Sequence, residues 1–189
     1  MTALIAALAA TLAALALAFL LALRRARTPP SLITSGEGPP LLLVAAPRAP
    51  IAPFAAALEA LAGRYRLVAL DRARPGQAER AAVALTEKPI VAAHGAGALA
   101  ALRLGHLGRV RGVVLIAPPP LKLRAADVLF PPTIILADGR AHLRALTAAL
   151  PTVERIAAPG LGLRPERRRP DLVEAALSRL EEMIAEAGG

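Results

Sequence analysis

Beyond residue 40 the chain alternates short, unbroken apolar runs with longer stretches of helical periodicity. The runs at 41–46, 66–71, 89–94, 111–117, 133–138 and 153–157 are rich in Leu, Val, Ile and Ala and too short for buried helices, which predicts strands. Helical spacing fills 53–62, 77–87, 97–107 and 140–149 between them, and a last helix is predicted over 171–186. Continuous apolar strands alternating with helices predict a mainly parallel, doubly wound sheet of about six strands inside a three-layer α/β sandwich. Gly63 is expected to stop the first helix in a left-handed conformation, and Asp171 with Glu174 to cap the last.

The N-terminal pattern differs. Residues 2–23 hold ten Ala, eight Leu, one Ile, one Phe and two Thr, with no charge. As a helix this segment would span about 33 Å, enough for a bilayer core. Arg24, Arg25 and Arg27 follow, and no charged side chain precedes it. The positive-inside rule then predicts a single-pass anchor in a bacterial inner membrane, N-terminus out and soluble domain in the cytoplasm. A cleaved signal peptide fits less well, because its basic cluster belongs on the other side of a shorter apolar core. Ala6, Ala10, Ala14, Ala18 and Ala22 form a narrow stripe on which a helix of an integral-membrane partner would pack closely. Residues 28–40 contain four Pro and two Gly and read as a linker. The chain thus divides into an anchor with its basic flank (1–27), a linker (28–40) and an α/β domain (41–189).

Charge and composition narrow the function classes. The formal charge is +9, with Lys88 and Lys122 the only lysines beside 21 arginines. Phe19, Phe54, Phe130 and Tyr65 are too few for a base-stacking platform, so nucleic acid is not expected as a partner. The absence of cysteine excludes disulfides and thiolate metal sites, and His94, His106 and His142 share no ligand spacing; no metal or cofactor is expected. Arg164, Arg167, Arg168 and Arg169 read either as a solvated loop face or as a surface for anionic headgroups.

The candidate chemistry sits directly after the 89–94 strand, where the chain reads Ala92-Ala93-His94-Gly95-Ala96-Gly97. The landmarks before and after it are collinear with a known pattern. Tyr65 to Asp71 with Gly76, then Pro89 to Gly97, then Arg109 to Pro118, Ile134 to Arg140, and Ala158 to Leu163 resemble, in that order, the segments of the α/β-hydrolase superfamily over nearly all of 41–187. The resemblance implies that fold, with Gly-x-Ser-x-Gly expected at the elbow; here the nucleophile position is Gly95, which has no side-chain atom to attack a carbonyl. It also implies an acid near Ala141 and a histidine where Leu163 stands, and the lid segment, 118–132, is short and proline-rich. All three catalytic roles look erased. Gly95-Ala96-Gly97-Ala98-Leu99-Ala100 also fits G-x-G-x-x-A, but the acid that would confirm a dinucleotide site is missing where the next strand ends at Ala117-Pro118.

The sequence therefore predicts a protein that is not an enzyme: a non-catalytic, membrane-anchored accessory or scaffolding subunit of a membrane protein complex. Two rivals stand beside it. One is a divergent esterase-like hydrolase with an unrecognised nucleophile; the other is a small-ligand or nucleotide-binding module built on Gly95-Ala96-Gly97.

Overall fold

The computed structural model describes Thr11, Leu15, Leu17 and residues 32–47, 51–70, 76–119, 131–137, 153–158 and 170–188. Its centre is a sheet of seven strands: β1 (Leu32–Ser35), β2 (Pro40–Val44), β3 (Arg66–Leu70), β4 (Ile90–His94), β5 (Gly112–Ile116), β6 (Thr133–Ala137) and β7 (Val153–Ala157). The spatial order is β1-β3-β2-β4-β5-β6-β7, and every pairing is parallel except β1 with β3. Parallel neighbours need crossovers, and these supply α1 (Ala52–Ala57), α2 (Gln77–Ala84) and α3 (Ala98–His106), while α4 (Pro170–Gly188) follows the last strand.

Side chains alternate across each strand, so the apolar runs feed two separate cores. Leu42, Val44, Val91, Ala93, Val113 and Leu115 pack on one face against α2 and α3. Leu41, Leu43, Ile90, Ala92, Val114 and Ile116 pack on the other, against Val173, Ala176, Leu177 and Leu180 of α4. The approach of α4 is close enough that a Cβ on Gly112 would stand 2.9 Å from a Leu180 methyl group. At the far end of α4, the buried Tyr65 donates its hydroxyl hydrogen to Glu181, which also pairs with Arg64.

Several expectations are corrected. The sheet has a seventh strand, β1, inside the stretch read as a linker, and Pro40 already opens β2. All four β1 residues are exposed, so backbone pairing to β3 rather than burial makes the strand. The first predicted helix is two pieces, α1 and a 3-10 turn over Glu59–Gly63. Gly63 is not among the glycines with positive φ, so no left-handed stop is formed there. Helix α4 starts at Pro170, one residue earlier than expected; this places Asp171 inside the first turn, with proline at the position its fixed φ suits. The helix predicted over 140–149 lies outside the described residues.

The anchor is likewise untouched. Thr11, Leu15 and Leu17 are helical and exposed. Ala6, Ala10, Ala14, Ala18, Ala22, Arg24, Arg25 and Arg27 lie outside the described residues, and among the described residues no helix is long and apolar enough to cross a membrane.

Candidate functional site

In a parallel sheet the C-terminal strand ends share one edge, and sites form in the crevices there. At that edge β4 ends in the half-buried His94, and the chain turns through a short 3-10 segment, Gly95–Gly97, into α3. Two glycines make the turn for different reasons. Gly95 has φ +56, a left-handed conformation that costs an L-residue about 1–2 kcal/mol, with no described atom within 4 Å of where a Cβ would stand. Gly97 has an ordinary helical φ of −60 but is pressed onto the end of β2. A Cβ there would stand 2.6 Å from the Val44 carbonyl oxygen and 2.7 Å from that of Ala45. The strand–turn–helix elbow is therefore built in backbone, and no described side chain approaches the Cβ position of Gly95.

Beside this elbow, between α2 and α3, lies a cavity of about 280 Å³. Its walls are Val44, Ala45 and Pro47 after β2, Gly76 and Ala78 at the start of α2, and Ala96, Gly97, Leu99 and Ala100 at the elbow and on α3. That is near the lower end of the volumes typical of small-molecule sites, and the lining is almost wholly apolar. Its polar contribution is an ion pair: Arg103 Nε lies 2.6 Å from Glu79 Oε1, with the arginine well exposed. Leu99 is 58 % exposed, too open for a core residue, and gives the cavity an apolar lip. A chain of methylenes or another small apolar group fits such a lining; a nucleotide phosphate would meet no described cation beyond Arg103, already engaged by Glu79.

The structure brings together some of the residues singled out in sequence. His94, Gly95, Ala96 and Gly97 share the elbow, and Ala96 and Gly97 line the cavity. Ala141 and Leu163 lie outside the described residues, as do Asp71, Asp138, His142 and the 164–169 arginines. His106 is exposed at the far end of α3, remote from the elbow. Sequence reasoning passed over Ala78, Glu79 and Arg103, and weighed Ala100 only as the end of a dinucleotide motif. Their signal was the small residues on the facing sides of two neighbouring helices, which leave room between them. A smaller groove of about 220 Å³ lies against β1, bordered by Ile33, Ser35, Ala52, Ala55, Ala56 and Glu59. Among the described residues no three His, Asp or Glu cluster where they could hold a metal ion.

No protein-family profile matches the chain. No curated protein matches it in sequence. Solved structures do match. An α/β hydrolase from Sphaerobacter thermophilus is 14% identical with a TM-score of 0.63, over 81% of this chain and 98% of that one. E-2-(acetamidomethylene)succinate hydrolase is 15% identical with a TM-score of 0.64, over 80% and 94%. A membrane phospholipase A described as a bacterial virulence factor is 16% identical with a TM-score of 0.64, over 98% and 99%. These matches correct the expectation that the chain is not an enzyme. The structures named here that share its architecture are hydrolases, and two of the three positions that argued otherwise, Ala141 and Leu163, are not among the described residues. The sheet order, the glycine-built elbow and these structural likenesses agree: the chain has the α/β-hydrolase fold.

Proposed function

We propose that this protein is a membrane-tethered α/β-hydrolase-type protein that takes an amphiphilic acyl compound into the cavity beside the elbow. We further propose that it works as an accessory subunit of a membrane protein complex. The observation that carries the ligand reading is the apolar cavity of about 280 Å³ that shares Ala96 and Gly97 with the elbow. The uncharged 2–23 segment with its flanking Arg24, Arg25 and Arg27 supports tethering in a single-pass, N-out orientation. The near-complete coverage of a membrane phospholipase A by the whole chain is in keeping with it. The Ala6–Ala22 stripe supports a helix of an integral-membrane partner as neighbour.

The hydrolases among the structural neighbours favour turnover of the bound compound. With glycine at position 95 the attacking oxygen in such a reaction is that of water: it adds to the ester carbonyl, the alkoxide leaves with a proton, and acid and alcohol result. In support, no described atom lies within 4 Å of where a Cβ on Gly95 would stand. The test is incubation of the full chain, in mild detergent, with fluorogenic acyl esters of increasing length. Ester cleavage or saturable acyl binding that is lost in Ala100→Leu, which fills the cavity, is the expected result. Equal behaviour of wild type and Ala100→Leu would remove the cavity from the reading.

A further inference from the structure

The cavity between α2 and α3 is apolar inside and charged at its rim. Val44, Ala45, Ala78 and Gly97 line it from buried positions, whereas Leu99 and Arg103 are exposed. Gly97, Ala100 and Arg103 lie three residues apart, along one side of the chain as it enters and forms α3. Helical side chains lean toward the N-terminus, so Arg103 reaches back along that side. Its Nε meets Oε1 of Glu79, in the first turn of α2, at 2.6 Å. The ion pair therefore crosses the gap that the cavity occupies.

This pair leaves binding capacity unused. A guanidinium carries five N–H donors in a planar fork, and Glu79 engages it at Nε. The Arg103 side chain is 70 % exposed, so its outer donors stand open to a second acceptor. Glu79, Arg80 and Arg103 are the Asp, Glu, Lys and Arg residues of these two helices, two cations to one anion. Both helices also begin at the cavity: Gly76 and Gly97 hold their N-cap positions, neither with a side-chain cap, so the positive ends of both dipoles add to the local potential. A cationic head group would have to take Glu79 away from Arg103. An anionic one adds to the guanidinium without displacing anything. A diphosphate calls for several cations, but a single carboxylate is matched by one planar fork.

We infer that Arg103 receives the head group of the cavity's ligand, and that this ligand is a monocarboxylate amphiphile. Its tail lies among Val44, Ala78 and Ala100, and its carboxylate bonds to the guanidinium at the rim. The inference rests on the cavity reading above and adds the chemistry of the head group.

Three ligands with one tail and different head groups test it: octanoate, octanol and octylammonium, each titrated calorimetrically into the full chain in a nonionic detergent. Octanoate is expected to bind about tenfold or more tighter than octanol, the usual gain from a hydrogen bond to a charged group, and octylammonium weakest. Ala100→Leu should weaken octanoate and octanol together, which locates both in the cavity. Arg103→Gln should erase the difference between octanoate and octanol, and Arg103→Lys should keep part of it, having the charge without the fork. An exposed ion pair contributes little to stability, so these variants should unfold at the temperature of the wild type. Equal binding of octanoate and octanol by the wild type, or a preference that survives in Arg103→Gln, overturns the head-group assignment and leaves the cavity reading standing. Tightest binding of octylammonium overturns it too and gives the rim to Glu79. Failure of all three ligands to bind overturns the cavity reading, and the inference with it.

Discussion

Gly97 is wedged against Val44: a methyl group on the glycine would lie 2.6 Å from the valine's carbonyl oxygen. Neither partner can yield cheaply, because the oxygen belongs to a strand paired on both sides and the glycine opens α3. Gly97→Ala should therefore destabilise the domain by about 1–3 kcal/mol, the usual cost of overpacking, and shift the cavity wall as well. Denaturant unfolding measures it; an unchanged midpoint would mean the elbow and β2 are not held together as described.

Gly95 makes the contrasting case. Its φ of +56 strains any side chain, yet no described atom lies within 4 Å of a Cβ. Gly95→Ser should cost only about 1–2 kcal/mol and leave a folded protein with a hydroxyl above the elbow. Thermal unfolding of the two glycine variants side by side is the check, with the 97 variant carrying the additional contact penalty.

The elbow shows why part of the site was legible in sequence and part was not. A strand of apolar residues followed by Gly-Ala-Gly and a helix is a local pattern, and it named the turn. Strands β2 to β7 were found within a residue or two, because burial on both faces writes itself as uninterrupted Leu, Val and Ile. Strand β1 left no such mark; its four exposed residues are held by hydrogen bonds to β3, a partner more than thirty residues away. The cavity is also nonlocal, a gap between α2 and α3 where Ala78 faces Ala100 and neither alone signals anything.

Ala117, the residue after β5, has φ +45, alone among the described non-glycine residues in that region, while its N–H donates to the Leu136 carbonyl at 2.8 Å. The left-handed conformation is strained for alanine, and glycine adopts it freely. Ala117→Gly should raise stability by up to about 1 kcal/mol, the relief partly offset by the greater freedom of glycine in the unfolded chain. A loss of stability in equilibrium unfolding would contradict the strain.

The single tyrosine provides a pH prediction. Burial first, and then the hydrogen bond and negative charge of Glu181, push the Tyr65 phenol well above its ordinary value of about 10. A phenol raised in the folded state keeps its full contribution below pH about 10 and loses it as pH climbs toward the folded value. Stability should thus fall above pH 10, with phenolate absorbance appearing together with unfolding. Tyr65→Phe should cost about 1–2 kcal/mol near neutrality, since Glu181 keeps Arg64, and should flatten that alkaline decline. Phenolate formation in a still-folded protein near pH 10 would contradict the burial.

The most direct test of the central claim is a titration of the full chain in mild detergent with a fluorescent fatty-acyl probe, wild type against Ala100→Leu. The account predicts saturable, stoichiometric binding to the wild type and its loss or a marked weakening in Ala100→Leu, with both proteins unfolding at similar temperatures. Binding that is absent from the wild type, or untouched by filling the cavity, would contradict it.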